Sequence, residues 1–171
     1  IIPRNARFDW RSYQAAMKRW LPKKRNVQGL FFGFPGAGND RAAINPWLAK
    51  EIEKDSGPTR SRALVLAAPT DDPDTVRSLL QKRGPFVGIK PYHLYAPRKP
   101  TTQSKIEDFA PEWMWKLCDE FNGIMTLHIV RDAAIADPQN IKSLRRLGEK
   151  YPKCRVVLAH VARSFTYRNA R

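Results

Sequence analysis

The chain contains three histidines, and each stands at or just after a short apolar run. His93 follows PFVGIKPY, His128 lies in IMTLHIV and His160 lies in RVVLAHV. In a parallel α/β fold the active site forms at the C-terminal ends of the strands, so residues at such exits are the ones placed for chemistry. Taken singly, each histidine reads as a hydrogen-bonded core residue. Two on consecutive strands at equivalent exits read differently. Neighbouring parallel strands lie about 4.8 Å apart, so His128 and His160 can converge on one ion at the ~2.0–2.1 Å that Zn–N bonds require. They are the candidate metal ligands, with a divalent ion, zinc by expectation, as cofactor. Lys90, Arg131 and Arg163 stand at the same exits and are candidate contacts to an anionic substrate. Lys90 also reads as an ordinary snorkelling lysine. No residue can be assigned as catalytic base. Ser164 lacks the His and Asp partners of an activated nucleophile.

The elements around these exits follow from hydrophobic periodicity. Trp10, Tyr13, Met17 and Trp20 recur at helical spacing over 8–21, with Asp9 as N-cap and Pro22 as stop. Residues 28–34 read as a strand, closed by a turn at Pro35-Gly36-Ala37-Gly38. Asp40 caps a helix over 41–54 with Ile44, Trp47, Leu48 and Ile52 inward. Residues 62–68 form the next strand, and Asp72-Pro73 opens a helix to Lys82. Residues 85–92 form the third strand, and 96–105 a polar, Pro-rich loop. A helix over 109–121 carries Pro111 in its first turn, with Trp113, Trp115 and Cys118 packing inward. Residues 124–130 form the fourth strand. Asp137-Pro138 opens a helix to Tyr151, and 155–161 form the fifth strand.

The strands are continuous apolar runs, the pattern of strands covered on both faces. The strand–helix rhythm repeats every ~25–40 residues, as βαβ units do. The fold class is therefore α/β with parallel strands. An open doubly wound sheet competes with a barrel. No Gly-x-Gly-x-x-Gly follows the first strand, which favours a (β/α)8 TIM barrel, here partial: a full barrel takes ~250 residues, and 171 supply five strands as one incomplete domain, 1–171. Edge strands would leave unpaired backbone, so self-association into a homo-oligomer is expected.

Composition excludes several classes. An apolar fraction of 42% with five Trp and eight Phe argues against disorder. No apolar run reaches the ~18 residues of a membrane span. The chain begins Ile1-Ile2-Pro3 without an initiator Met or an n-region/h-region signal; an internal fragment would start this way, and so would a processed or trimmed chain. Two cysteines, Cys118 and Cys154, make no disulfide framework and read as reduced thiols of a cytoplasmic protein. Lys plus Arg exceed Asp plus Glu by 31 to 16, for a net charge of +15. That invites a nucleic-acid reading, but the basic residues are scattered (Lys23-Lys24-Arg25, Arg60, Arg62, Arg98-Lys99, Arg145-Arg146) and no zinc-finger or phosphate-loop spacing occurs. A basic binding module remains the non-enzymatic alternative.

Three segments, GIKPYH (88–93), TLHIVRD (126–132) and VVLAHVARSF (156–165), together with the helix opening DPQN (137–140), resemble the metal-dependent hydrolases of the amidohydrolase superfamily. The similarity runs from about Gly29 to Phe165. It implies that the five strands correspond to the second to sixth of an eight-stranded barrel. It also implies that His128 and His160 match the strand-five and strand-six metal ligands, and that Lys90 lies where some members carry a carboxylated lysine. Arg163 would face a substrate carboxylate. The implied activity is hydrolysis of a small, carboxylated molecule by metal-activated water, with metal-dependent decarboxylation as the alternative on the same site. The family's first-strand His-x-His pair and eighth-strand Asp have no counterpart here, so the expectation is a fragment of a complete enzyme.

Overall fold

A computed structural model describes residues 9–21, 27–36, 40–57, 60–82 and 84–164. The elements are α1 (Trp10–Trp20), β1 (Leu30–Phe31), α2 (Arg41–Glu53), β2 (Arg62–Ala67), α3 (Pro73–Gln81), β3 (Phe86–Pro91), α4 (Ile106–Phe109), α5 (Glu112–Glu120), β4 (Ile124–Leu127), α6 (Pro138–Lys150) and β5 (Arg155–Leu158). The strands form one parallel sheet in the order β1-β2-β3-β4-β5. A doubly wound sheet reverses its strand order at a switch point, and this one never does. With the right-handed crossovers that parallel strands take, an unreversed order puts the connecting helices on one face and curls the other inward. The result is a five-strand parallel half-barrel.

Helix openings follow the sequence closely because a short acidic side chain satisfies amides that the first turn leaves orphaned. Asp9 accepts from the Ser12 N–H, Asp40 from Ala42 and Ala43, Asp72 from Asp74 and Thr75, and Asp137 from Gln139 and Asn140. Asp72→Ala should destabilise the fold by about 1 kcal/mol, read as a lower urea midpoint at unchanged slope. An unmoved midpoint would show that α3 is held by packing alone.

Several expected boundaries shift for identifiable reasons. The helix expected over 109–121 is two helices. Pro111 disfavours the α conformation at the residue before it, and Ala110 sits at φ −126°, ψ 70°, ending α4 and leaving Pro111 as the N-cap of α5. Trp115 and Cys118 are buried as expected. On α2, Trp47 is 47% exposed and Asn45 is buried instead. The first strand is only two residues long and pairs with β2 no further than Phe31↔Ala63. It cannot reach Leu66, whose backbone would be left unpaired on that side. The Asn45 amide supplies the partner: Nδ2 donates to Leu66 O at 3.0 Å, and Leu66 N–H donates to Oδ1 at 3.0 Å. The outward face of α1 also departs from expectation, since Trp20 is exposed while Trp10 is buried. The turn at 35–38 and the stop at Pro22 fall partly or wholly outside the described residues, as does Phe165.

The core lies between β2–β4 and the helices α3–α6, with Trp115, Phe109, Ile106, Met114, Leu117, Met125 and Leu127 fully buried. Gly88 lets β3 and β4 approach closely: a Cβ there would collide with the Ile124 backbone. Among the described residues, no strand pairs with the outer edges of β1 or β5.

Candidate metal and anion site at the strand exits

The strand exits gather Lys90, Tyr92, His93, His128, His160 and Arg163. Lys90 is the penultimate residue of β3 and is 1% exposed. Its ammonium lies 4.7 Å from the Tyr92 ring centre and 5.4 Å from that of Phe32, and donates to Pro91 O at 3.2 Å. Among the described residues no carboxylate pairs with it. Burial draws its pKa down from 10.5 to about 8, because desolvation penalises the charged form.

The register shows that His128 and His160 are not equivalent. Leu127 pairs with Leu158, so His128 stands level with Ala159, and His160 lies one residue further on. Side chains alternate faces along a strand. A straight continuation of β5 would therefore turn His160 away from His128. Instead β5 stops at Leu158, three residues before the expected end. His160, Val161, Ala162 and Arg163 all take left-handed backbone, with φ of 56°, 52°, 53° and 56°. Two backbone bonds close this turn, from Arg163 N–H to His160 O and from Ser164 N–H to Val161 O. Left-handed backbone costs L-residues roughly 1–2 kcal/mol each, and here it returns the His160 ring to its partner.

The ring centroids of His128 and His160 lie 4.8 Å apart, and those of His93 and His128 5.3 Å. An ion ~2.0–2.1 Å from a ligating nitrogen sits about 3.2 Å from that ring's centroid, so tetrahedral ligation separates two centroids by roughly 5 Å. Both pairs meet that spacing. His128 is the middle ring, and Tyr92 packs edge-on against it at 5.0 Å. Among the described residues, no group of three or more His, Cys, Asp or Glu side chains is arranged to hold an ion. His128 and His160 are therefore close enough to share an ion, and such an ion would need further ligands.

Electrostatics at the exits oppose protonation. Burial, then the charges of His93, Lys90, His160 and Arg163, lower the His128 pKa from 6.5 to about 4. Burial, Arg163 and Lys90 lower that of His93 as well. Neutral imidazoles are the ligand form. The same coupling makes the fold acid-sensitive. The unfolded chain takes up a proton at His128 near pH 6.5 that the folded chain refuses until about 4, so stability falls as pH drops through this window. Thermal melting should be lower at pH 4.5 than at pH 7 by several degrees, and His128→Asn should narrow that gap. Equal gaps in both proteins would show that His128 is not the group responsible.

Arg131 is placed differently from the other candidates. Its Nε donates to Asp137 Oδ2 at 2.9 Å, its Nη1 to Gln103 O at 3.2 Å, and its N–H to Thr102 O at 2.8 Å. It ties the loop after β4 to the start of α6. His93 and Tyr92 belong to the ring cluster although the sequence, which places His93 at the third strand exit, assigned neither a role in the site. The signal was their position directly after Lys90 at one exit. His93 Nδ1 lies 3.3 Å from Thr101 Oγ1, which fixes its ring. A cavity of about 610 Å³ between α2 and α3, lined by Asn45, Asp71, Asp72 and Val76 among others, lies away from this cluster. No known protein family, curated protein or solved structure gives a match to this chain. No helix among the described residues is long and apolar enough to cross a membrane.

Proposed function

We propose that the chain is part of an amidohydrolase-like (β/α)8 barrel, a cytoplasmic metal-dependent hydrolase of small carboxylated molecules. The observation that carries this reading is the approach of two imidazoles, His128 and His160, to 4.8 Å at neighbouring strand exits, with His128 held neutral. These two side chains would hold a divalent ion, zinc by the preference of imidazole donors. When bound, the ion would polarise a carbonyl and bring the pKa of a water toward ~7.

The chain's own residues supply attraction and order. Lys90 and Arg163 make the exits positive, as their effect on the histidines shows, and a carboxylate entering between the strands gains from both. The rings of Tyr92 and Phe32 flank Lys90 and exclude water from its ammonium. Arg131 keeps the β4–α6 loop against Asp137, and its remaining nitrogen is the part a substrate would reach.

Decarboxylation is the second reading. Hydrolysis needs a base for water, and among the described residues no carboxylate acts on the His93 or His128 rings. Loss of CO2 from a carboxylated substrate places no such demand. Nucleic acid is the weaker partner, because among the described residues seven Lys and Arg side chains are spread in eight ion pairs over α2 to α6 and the connecting loops.

The test is metal analysis of the protein purified without chelator, followed by assays of small carboxylated amides and aromatic acids with and without added zinc. Zinc-dependent amine release supports hydrolysis, and zinc-dependent CO2 release supports decarboxylation. Turnover indifferent to chelator, or steeply salt-dependent RNA binding without turnover, would remove the metal-enzyme reading.

A further inference from the structure

The apolar stripe of α1 outruns the body of the protein. Trp10, Tyr13, Met17 and Trp20 recur at three- and four-residue spacing and so share one face. Trp10 is 7% exposed, Tyr13 and Met17 are half-buried, and Trp20 is 70% exposed. The support comes from β1 and α2. Phe31 meets the Trp10 ring at 6.0 Å and the Tyr13 ring at 4.8 Å, both edge-on, and Glu51 accepts from the Trp10 N–H at 2.9 Å. These contacts hold the start of the helix. Among the described residues no ring packs on Trp20, and Leu21, the C-cap that follows it, is 38% exposed.

The charge of this helix is one-sided. α1 carries Arg11, Lys18 and Arg19 and no acid, whereas each of α2 to α6 carries at least one. Lys18 and Arg19 are exposed in the last turn, and among the described residues neither forms an ion pair. Cations in a last turn complement the helix dipole. That accounts for the charges and leaves the uncovered tryptophan and leucine beside them without a structural purpose.

We propose that the end of α1, residues 18–21, docks on an anionic phospholipid surface. Trp20 and Leu21 finish the helix and enter the headgroup boundary, where an indole is at home and a leucine leaves water. Lys18 and Arg19 follow one to three residues behind, at the level of the lipid phosphates and carboxylates. Nucleic acid would also attract the cations and stack on the indole, but it offers Leu21 no hydrocarbon. The net charge of +15 draws the whole chain toward such a surface, and the uncovered turn decides which part of it lands. An 11-residue helix meets a bilayer without spanning it. One turn of contact gives weak, reversible and salt-sensitive attachment.

The test is co-sedimentation of the folded full chain with vesicles of phosphatidylcholine alone and of phosphatidylcholine mixed with phosphatidylserine. Chelator is present throughout, so the outcome is independent of any metal. Binding to the mixed vesicles should be at least about tenfold tighter and should weaken as salt rises. Lys18→Glu combined with Arg19→Glu should weaken it at least about 25-fold, and Trp20→Ala at least about fivefold. Lys142→Glu combined with Arg145→Glu makes the same change in net charge on exposed positions of α6. It should weaken binding less than about threefold, since those charges lie away from the contact. Equal losses in the two charge-reversed chains, no loss on Trp20→Ala, or equal binding to both kinds of vesicle would overturn the proposal. Binding of single-stranded RNA that depends on Trp20, with no binding to vesicles, would give the turn to nucleic acid and overturn it as well.

Discussion

A His128→Ala chain should lose at least about 100-fold in zinc affinity, more than the ~10–100-fold that loss of a supporting partner alone brings. His128 is the middle ring of the exit cluster, 4.8 Å from His160 and 5.3 Å from His93 by centroid, so no pair of imidazoles survives its removal. His160→Ala should match it. His93→Ala should change affinity only about threefold, because its ring packs on His128 and not on His160 and would act through that packing. Calorimetric zinc titration at pH 7, with folding checked by circular dichroism, reads all three. A wild-type chain with no measurable zinc affinity ends the metal reading. The reverse order, with His93→Ala severe and His160→Ala mild, would move the ion to the other side of His128 and make the strained turn at 160–163 irrelevant to ligation.

Lys90→Met should be the largest stabilising change at these exits, about 2 kcal/mol at pH 7. The folded chain holds the Lys90 proton only up to about pH 8, whereas the unfolded chain holds it to ~10.4. Below pH 8 both states are protonated, and the folded state carries the whole desolvation cost, roughly 3 kcal/mol at 1.36 kcal/mol per pH unit. Between pH 8 and 10.4 the unfolded state binds more protons, so stability rises with pH. Methionine removes the charge at similar length but leaves the Pro91 carbonyl without its donor, which returns about 1 kcal/mol. Urea unfolding at pH 7, 8, 9 and 10 should show wild-type stability climbing toward that of the variant. A variant less stable at pH 7, or two parallel profiles, would mean that the ammonium reaches water or an anionic partner. Among the described residues no carboxylate pairs with this buried cation, and an anion-binding role would account for the cost of keeping it.

Much of the scaffold was legible in local chemistry. Asp-Pro at 72–73 and 137–138 marks helix starts because the carboxylate accepts two amides and proline needs none. Apolar runs such as Arg62–Ala67 mark buried strands because nothing polar can lie between two covered faces. Sequence alone therefore determined the α/β class, the order of strands and helices, and which polar residues stand at strand exits. It could not see that Ala110-Pro111 splits one helix into two, or that Asn45 takes the place of a missing strand beside Leu66.

Only the tertiary structure decided how the exits meet. The unreversed sheet order curls the strands into a half-barrel, a property of pairing between segments tens of residues apart that no local signal encodes. The residue spacing made His128 and His160 look equivalent, yet the β4–β5 register offsets them by one position. The side-chain period of two would then send them to opposite faces. The left-handed turn at 160–163 reverses that outcome. Such backbone has no sequence signature in a stretch without glycine; it is imposed by what surrounds it.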